Sequence, residues 1–114
     1  MFPSNIELLR HILDETSFII DSTTGKTKED VISDPILSRA LIRSLEIIGE
    51  ATTKVDPDFK YLYPHVEWRK MSGMRNRLIH DYFGIDYDIV WDIIVSKVPD
   101  LKNDIDDIIA ELES

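Results

Sequence analysis

At 114 residues, with 43% hydrophobic side chains and only nine Gly and Pro, the chain reads as one globular domain spanning residues 1–114, enough for one core. The lack of cysteine excludes disulfides, thiolate metal ligands and cysteine nucleophiles. Apolar runs never exceed three residues, which argues against a membrane span or a signal-peptide core, and the expectation is a cytoplasmic protein. A formal net charge of −9 argues against non-specific coating of nucleic acid, because phosphates need local positive charge.

The first element is an amphipathic helix over residues 4–20, since Ile6, Leu9, Leu13, Thr16 and Ile20 recur at spacings of three and four. A polar loop over residues 21–30 follows, with Gly25 suited to positive φ. Asp34-Pro35 marks a helix start, Asp as cap and Pro in the first turn. That helix runs to about Lys54 with Leu37, Leu41, Leu45 and Ile48 inward; Gly49 interrupts it and points to close packing. Asp56-Pro57 repeats the start signal for a short helix that Pro64 stops.

Residues 68–82 form the next long helix, which ends at Phe83-Gly84. Asp86 caps a helix carrying Ile89, Val90, Trp91, Ile93 and Ile94. Pro99 opens the last one, with Leu101, Ile105, Ile108, Ile109 and Leu112 on one stripe and Asp100, Asp104, Asp106, Asp107 and Glu111 on the other. No strand alternation or repeat appears. The expected fold is an all-α antiparallel helical bundle of four long helices and one or two short ones.

Charge is unevenly spread along this bundle. Between His65 and His80, Arg69, Lys70, Arg75 and Arg77 stand against one acid, Glu67, a local +3. The remaining nine basic and twenty-one acidic residues leave −12. A basic island on an acidic body suits a few phosphates or an acidic partner, and equally a solvated helix face.

The island lies in the segment GMRNRLIHDYFG, residues 73–84. On an ideal helix advancing ~100° per residue, Met71, Met74, Leu78 and Tyr82 share the core side. Asn76 and His80 share another face with Gly73, and Arg75 stands ~140° from His80. If Arg75 and His80 act together, either the arginine reaches around the helix or a second copy completes the site across a two-fold axis, where Gly73 permits close backbone approach. Their chemistry is narrow. An imidazole exchanges protons near neutral pH, and a guanidinium grips phosphate oxygens and charge developing on them. RNA brings its own nucleophile, the 2′-OH. The plainer alternative is a surface histidine and an arginine paired with Asp81 or Glu67, with Tyr82 as a core-edge aromatic. His11 and His65 receive no role.

SLEIIGEA (residues 44–51) followed by EWRKMSGMRNRLIHDYFGIDYDIVW (residues 67–91) resembles the HepT-like branch of the HEPN superfamily. The signature is Arg, four residues, His, one residue, Tyr, and the resemblance covers nearly the whole chain. Ser44 stands where many relatives have Asn, and Val66 where Pro is common; neither touches the signature. The resemblance implies a HEPN-like bundle that forms a homodimer with the motif helices lining a shared cleft. It implies a metal-independent ribonuclease toxin with Arg75 and His80 catalytic, and Asn76 shaping the cleft. Arg77, Arg69 and Lys70 are the expected RNA-binding residues. It also implies an MntA-like nucleotidyltransferase antitoxin that moves AMP from ATP to Tyr82, adding bulk and negative charge beside a phosphate pocket. No cofactor is expected beyond the partner's ATP, and no metal. The alternative is a non-catalytic helical subunit that binds such a transferase, a role that the acidic charge suits.

Overall fold

The computed structural model describes residues 4–78 and 84–114, with Arg75 described in its backbone alone. Helix α1 (Asn5–Thr23) begins where the Ser4 hydroxyl accepts from the Glu7 amide at 3.2 Å. Its buried stripe is Leu8, Leu9, Ile12, Thr16 and Ile19, turned from the expected one; Leu13 and Ile20 pack at the edge of the core instead. The turn has a packing cause, because α1 lies against two later helices, α3 (Pro35–Lys54) and α8 (Val98–Glu113), and must face both. Thr16 is tolerated inside because its hydroxyl donates to the Leu13 carbonyl at 2.9 Å.

The expected loop over residues 21–30 is shorter than the sequence suggested. α1 continues to Thr23, and α2 (Lys28–Ile32) opens on a reciprocal cap. The Thr27 hydroxyl accepts from the Asp30 amide at 3.1 Å while the Asp30 carboxylate accepts from the Thr27 amide at 2.9 Å. The Thr27 amide first, and the Thr27 hydroxyl after it, hold the Asp30 carboxyl below the usual carboxylate range. Buried Val31 then pins the turn to the core. Gly25 takes the expected positive φ, 77°.

α3 keeps its expected bounds. Asp34 accepts from the amides of Ile36 and Leu37, both at 3.1 Å, and Leu41, Leu45 and Ile48 are fully buried beneath it. The second Asp-Pro differs. Asp56 makes no cap bond to α4 (Pro57–Leu62) but clasps Asn5, donating its amide to Asn5 Oδ1 at 3.1 Å and accepting from Asn5 Nδ2 at 3.3 Å. The start of α1 therefore lies beside the end of α3, so the two run antiparallel. Arg10 paired with Glu113 at 2.6 Å sets α1 antiparallel to α8 in the same way.

The long helix expected over residues 68–82 is broken within its described part into α5 (Trp68–Ser72) and α6 (Met74–Leu78). Gly73 sits between them at φ −83°, ψ 0°, its amide shared between the carbonyls of Arg69 and Met71. The last two expected helices are instead continuous. α7 (Tyr87–Asp92), capped by Asp86 as expected, winds through a π-helical turn (Ile93–Lys97) straight into α8. Pro99 does not open a helix after a loop; it lies within the first turn of α8, just past the wide turn. A proline ring crowds the carbonyl four residues back, and widening that turn relieves the crowding. There the Val98 amide reaches the carbonyl of Ile93, five residues back. Lys28, paired with Asp88, ties α2 to α7. The described residues form an all-α bundle without a strand, and none of its helices is long and apolar enough to cross a membrane.

Candidate active site

The motif helices are mounted by their apolar side. Trp68 donates its indole N–H to the Tyr63 carbonyl at 2.9 Å, which fixes the chain entering α5. Val66, Trp68, Met71, Met74 and Leu78 are then buried against the core. With those five inward, Arg69 and Lys70 on α5 and Asn76 and Arg77 on α6 are left exposed. The backbone of Arg75 lies in α6. The Arg75 side chain, His80 and Tyr82, the catalytic pair and the tyrosine expected from the sequence, lie outside the described residues.

Gly73 has room to spare inside its own chain. A Cβ there would meet the Arg69 carbonyl at 3.4 Å, ordinary contact, at a negative φ that any residue adopts. Nothing among the described residues requires glycine there. Gly49 is different. It is buried on α3 at the bottom of a groove of about 400 Å³, whose far wall is Ser72 and whose rim carries Arg43, Glu46 and Glu50. Two sequence blocks, residues 44–51 and 67–78, therefore meet along one furrow. Arg43 and Glu46 were not singled out in the sequence; their spacing of three on one helix, now an ion pair at 3.8 Å, was the available signal.

The one acid already counted against the basic island is shared with a further lysine. Glu67 faces Lys70 at 3.5 Å and also Lys97 at 3.7 Å, a lysine thirty residues away in sequence that the fold brings back. Among the described residues, Arg69 and Arg77 form no ion pair. The positive charge available to an anion on this face is thus carried mainly by arginine. Arginine offers planar, two-pronged donors to phosphate oxygens, where lysine offers a point charge. No group of three or more His, Asp or Glu side chains among the described residues is placed to hold a metal ion.

Residues 12–108 match the family model described as "Ribonuclease HepT-like". The chain is 43% identical to a protein of Caldanaerobacter subterraneus subsp. tengcongensis named as a candidate RNase, over 90% of this chain and 92% of that one. It is 44% identical to a similarly named protein of Methanocaldococcus jannaschii, over 92% of this chain and 87% of the other. A protein of Thermococcus cleftensis named "Probable ribonuclease HepT" is 39% identical over 87% of this chain and 90% of its own length. No solved structure matches.

Proposed function

Because this chain belongs to the ribonuclease HepT-like family, we propose that it is an endoribonuclease toxin acting at a cleft shared by two copies. The observation that carries the proposal is the mounting of α6. Met74 and Leu78 face the core while Asn76 and Arg77 face solvent, so the described part of the motif segment offers polar side chains outward. The family match over residues 12–108 includes the whole run from Arg75 through Tyr82.

In this reading His80 takes the proton of a ribose 2′-OH, and that oxygen attacks the adjacent phosphorus. The bond to the 5′-oxygen of the next nucleotide breaks, that oxygen is protonated as it leaves, and a 2′,3′-cyclic phosphate remains. Arg75 holds the non-bridging oxygens as their charge rises in the transition state, a task that requires no metal. The 2′-OH supplies the nucleophile, so DNA is not a substrate. In the same reading, silencing acts on the motif tyrosine. A minimal nucleotidyltransferase joins the Tyr82 phenol oxygen to the α-phosphorus of ATP, pyrophosphate leaves, and the attached AMP sets a negative phosphate where the RNA backbone should lie.

The test is expression of the wild type and of His80→Ala without any partner, followed by growth and RNA integrity. Wild-type chain should arrest growth and leave RNA with cyclic phosphate ends. His80→Ala should be harmless, its purified dimer losing at least ~10²-fold in cleavage rate. Equal behaviour of the two would remove the catalytic assignment. Harmlessness of both, with a stable complex formed with the transferase, would favour the non-catalytic subunit, which the net charge of −9 also suits.

A further inference from the structure

Behind the motif helices, on the side away from Asn76, lies a second concavity that the ribonuclease reading does not use. It holds about 150 Å³ between the chain entering α5, the two methionines of α5 and α6, and the start of α8. A cavity of that size takes a group of about six heavy atoms, the size of benzene. Its floor is apolar: Met71, Met74 and Leu101, all buried. Methionine is unbranched and adapts to the outline of an aliphatic guest.

Its rim is charged, and unevenly so. Glu67 is already engaged by Lys70 and Lys97, at 3.5 and 3.7 Å. Asp100 and Asp104, one helical turn apart on α8, also line the pocket, and neither forms an ion pair among the described residues. Burial pushes the Asp104 carboxyl above its usual range; nearby Asp100, Asp107 and Glu67 push the same way, while His65 opposes them. The folded chain thus sets two carboxylates close together at the edge of an apolar hollow, a repulsion that an incoming cation would relieve.

The mouth is built before any guest arrives. The Val66 amide donates to the Tyr63 carbonyl at 3.2 Å, the Trp68 amide to the Val66 carbonyl at 2.9 Å, and the Trp68 indole to Tyr63 again. These bonds hold His65 and Glu67 at one lip. The π-helical turn ends at Lys97 and sets the other. A preformed apolar hollow with a few polar groups at its edge is the usual form of a small-ligand site.

We propose that this pocket binds an aliphatic cation, a chain of four or five carbons laid on Met71 and Met74 with its terminal ammonium between Asp100 and Asp104. A lysine side chain of a partner protein and a free polyamine both present that chemistry. The chain's own methionines report on it, because Met71 and Met74 line the pocket and Met1 is the third of three.

The experiment is a titration of the full chain, labelled with ¹³C at the methionine methyls, with n-butylammonium and, separately, with n-butanol. Saturable shifts of the Met71 and Met74 methyls with Met1 unmoved are expected for the ammonium, and binding at least tenfold weaker for the alcohol. An Asp100→Asn/Asp104→Asn variant, whose undisturbed methyl spectrum shows that it is folded, should lose at least tenfold in affinity for the ammonium. Equal binding of the alcohol, full binding by the double variant, or no movement of the two methyls would each overturn the proposal. Nα-acetyl-lysine amide and spermidine then separate the sources. If the lysine derivative binds as n-butylammonium does, the site is one for a protein side chain; if spermidine alone binds, it is one for a free polyamine.

Discussion

Two aspartates stand before prolines in this chain, and they do different work. Asp34 gives one carboxylate oxygen to two backbone amides, those of Ile36 and Leu37, at the mouth of the twenty-residue α3. Removing such a cap leaves helix donors unpaired, and Asp34→Ala should cost about 1 kcal/mol, read as a lower urea midpoint with an unchanged slope. Asp56 spends its side chain on Asn5, fifty-one residues away, rather than on its own helix. Asp56→Ala and Asn5→Ala should therefore be non-additive in a double-mutant cycle, whereas Asp56→Ala and Asp34→Ala should add. The Asp-Pro signal locates both helix starts from sequence alone. Which aspartate caps is not readable there, because the competing partner of Asp56 is chosen by the tertiary fold.

At the scale of elements, the long amphipathic runs were legible because burial repeats at helical spacing. Leu41, Leu45 and Ile48 are all buried, as are Leu101, Ile105, Ile108 and Ile109. Connections were less legible. The Thr27–Asp30 cap builds a helix in a stretch whose composition reads as loop, and Pro99, which reads as a helix start, is absorbed into a continuous helix by the π turn before it. A π turn holds one residue more than an α turn. Deleting Val95, which is half exposed in that turn, should let the segment wind as α while α8 keeps its buried face. Deleting Asn103 instead rotates everything beyond it by ~100° and takes Ile105 and Ile108 out of the core. Each loses roughly 1.5–3 kcal/mol of burial, a large part of the stability of a small domain. Thermal melts followed by circular dichroism should show a cooperative transition for the Val95 deletion and none, or one far lower, for the Asn103 deletion. Similar melts for the two would mean that the π turn is no inserted residue.

Across the whole molecule, the candidate site divides into a part that sequence could supply and a part that it could not. Arg69, Lys70, Asn76 and Arg77 were named from the sequence as cleft or RNA-binding residues; all four are exposed, because the methionine and leucine spacing fixes which side of α5 and α6 is buried. The pairing of Glu67 with Lys97 depends on the return of α8 and leaves no local trace. It also changes the electrostatic expectation, since the acid that faces Lys70 is shared with Lys97, which adds a positive charge to this face. In the ribonuclease reading, the net charge of −9 and the acidic side of α8 (Asp100, Asp107 and Glu111, all exposed) disfavour RNA away from the basic face. If Arg69, Lys70, Arg75 and Arg77 hold four phosphates of a single strand, cleavage at subsaturating RNA should fall on the order of 50-fold from 50 to 200 mM salt, since the logarithmic slope is about −0.7 per contact. Arg77→Ala should lower cleavage at low salt and flatten that dependence by about one contact, without changing which RNA sequence is cut. Cleavage that ignores salt would mean that RNA is held by its bases rather than its backbone, and the basic face would then have to be assigned to an acidic protein partner instead.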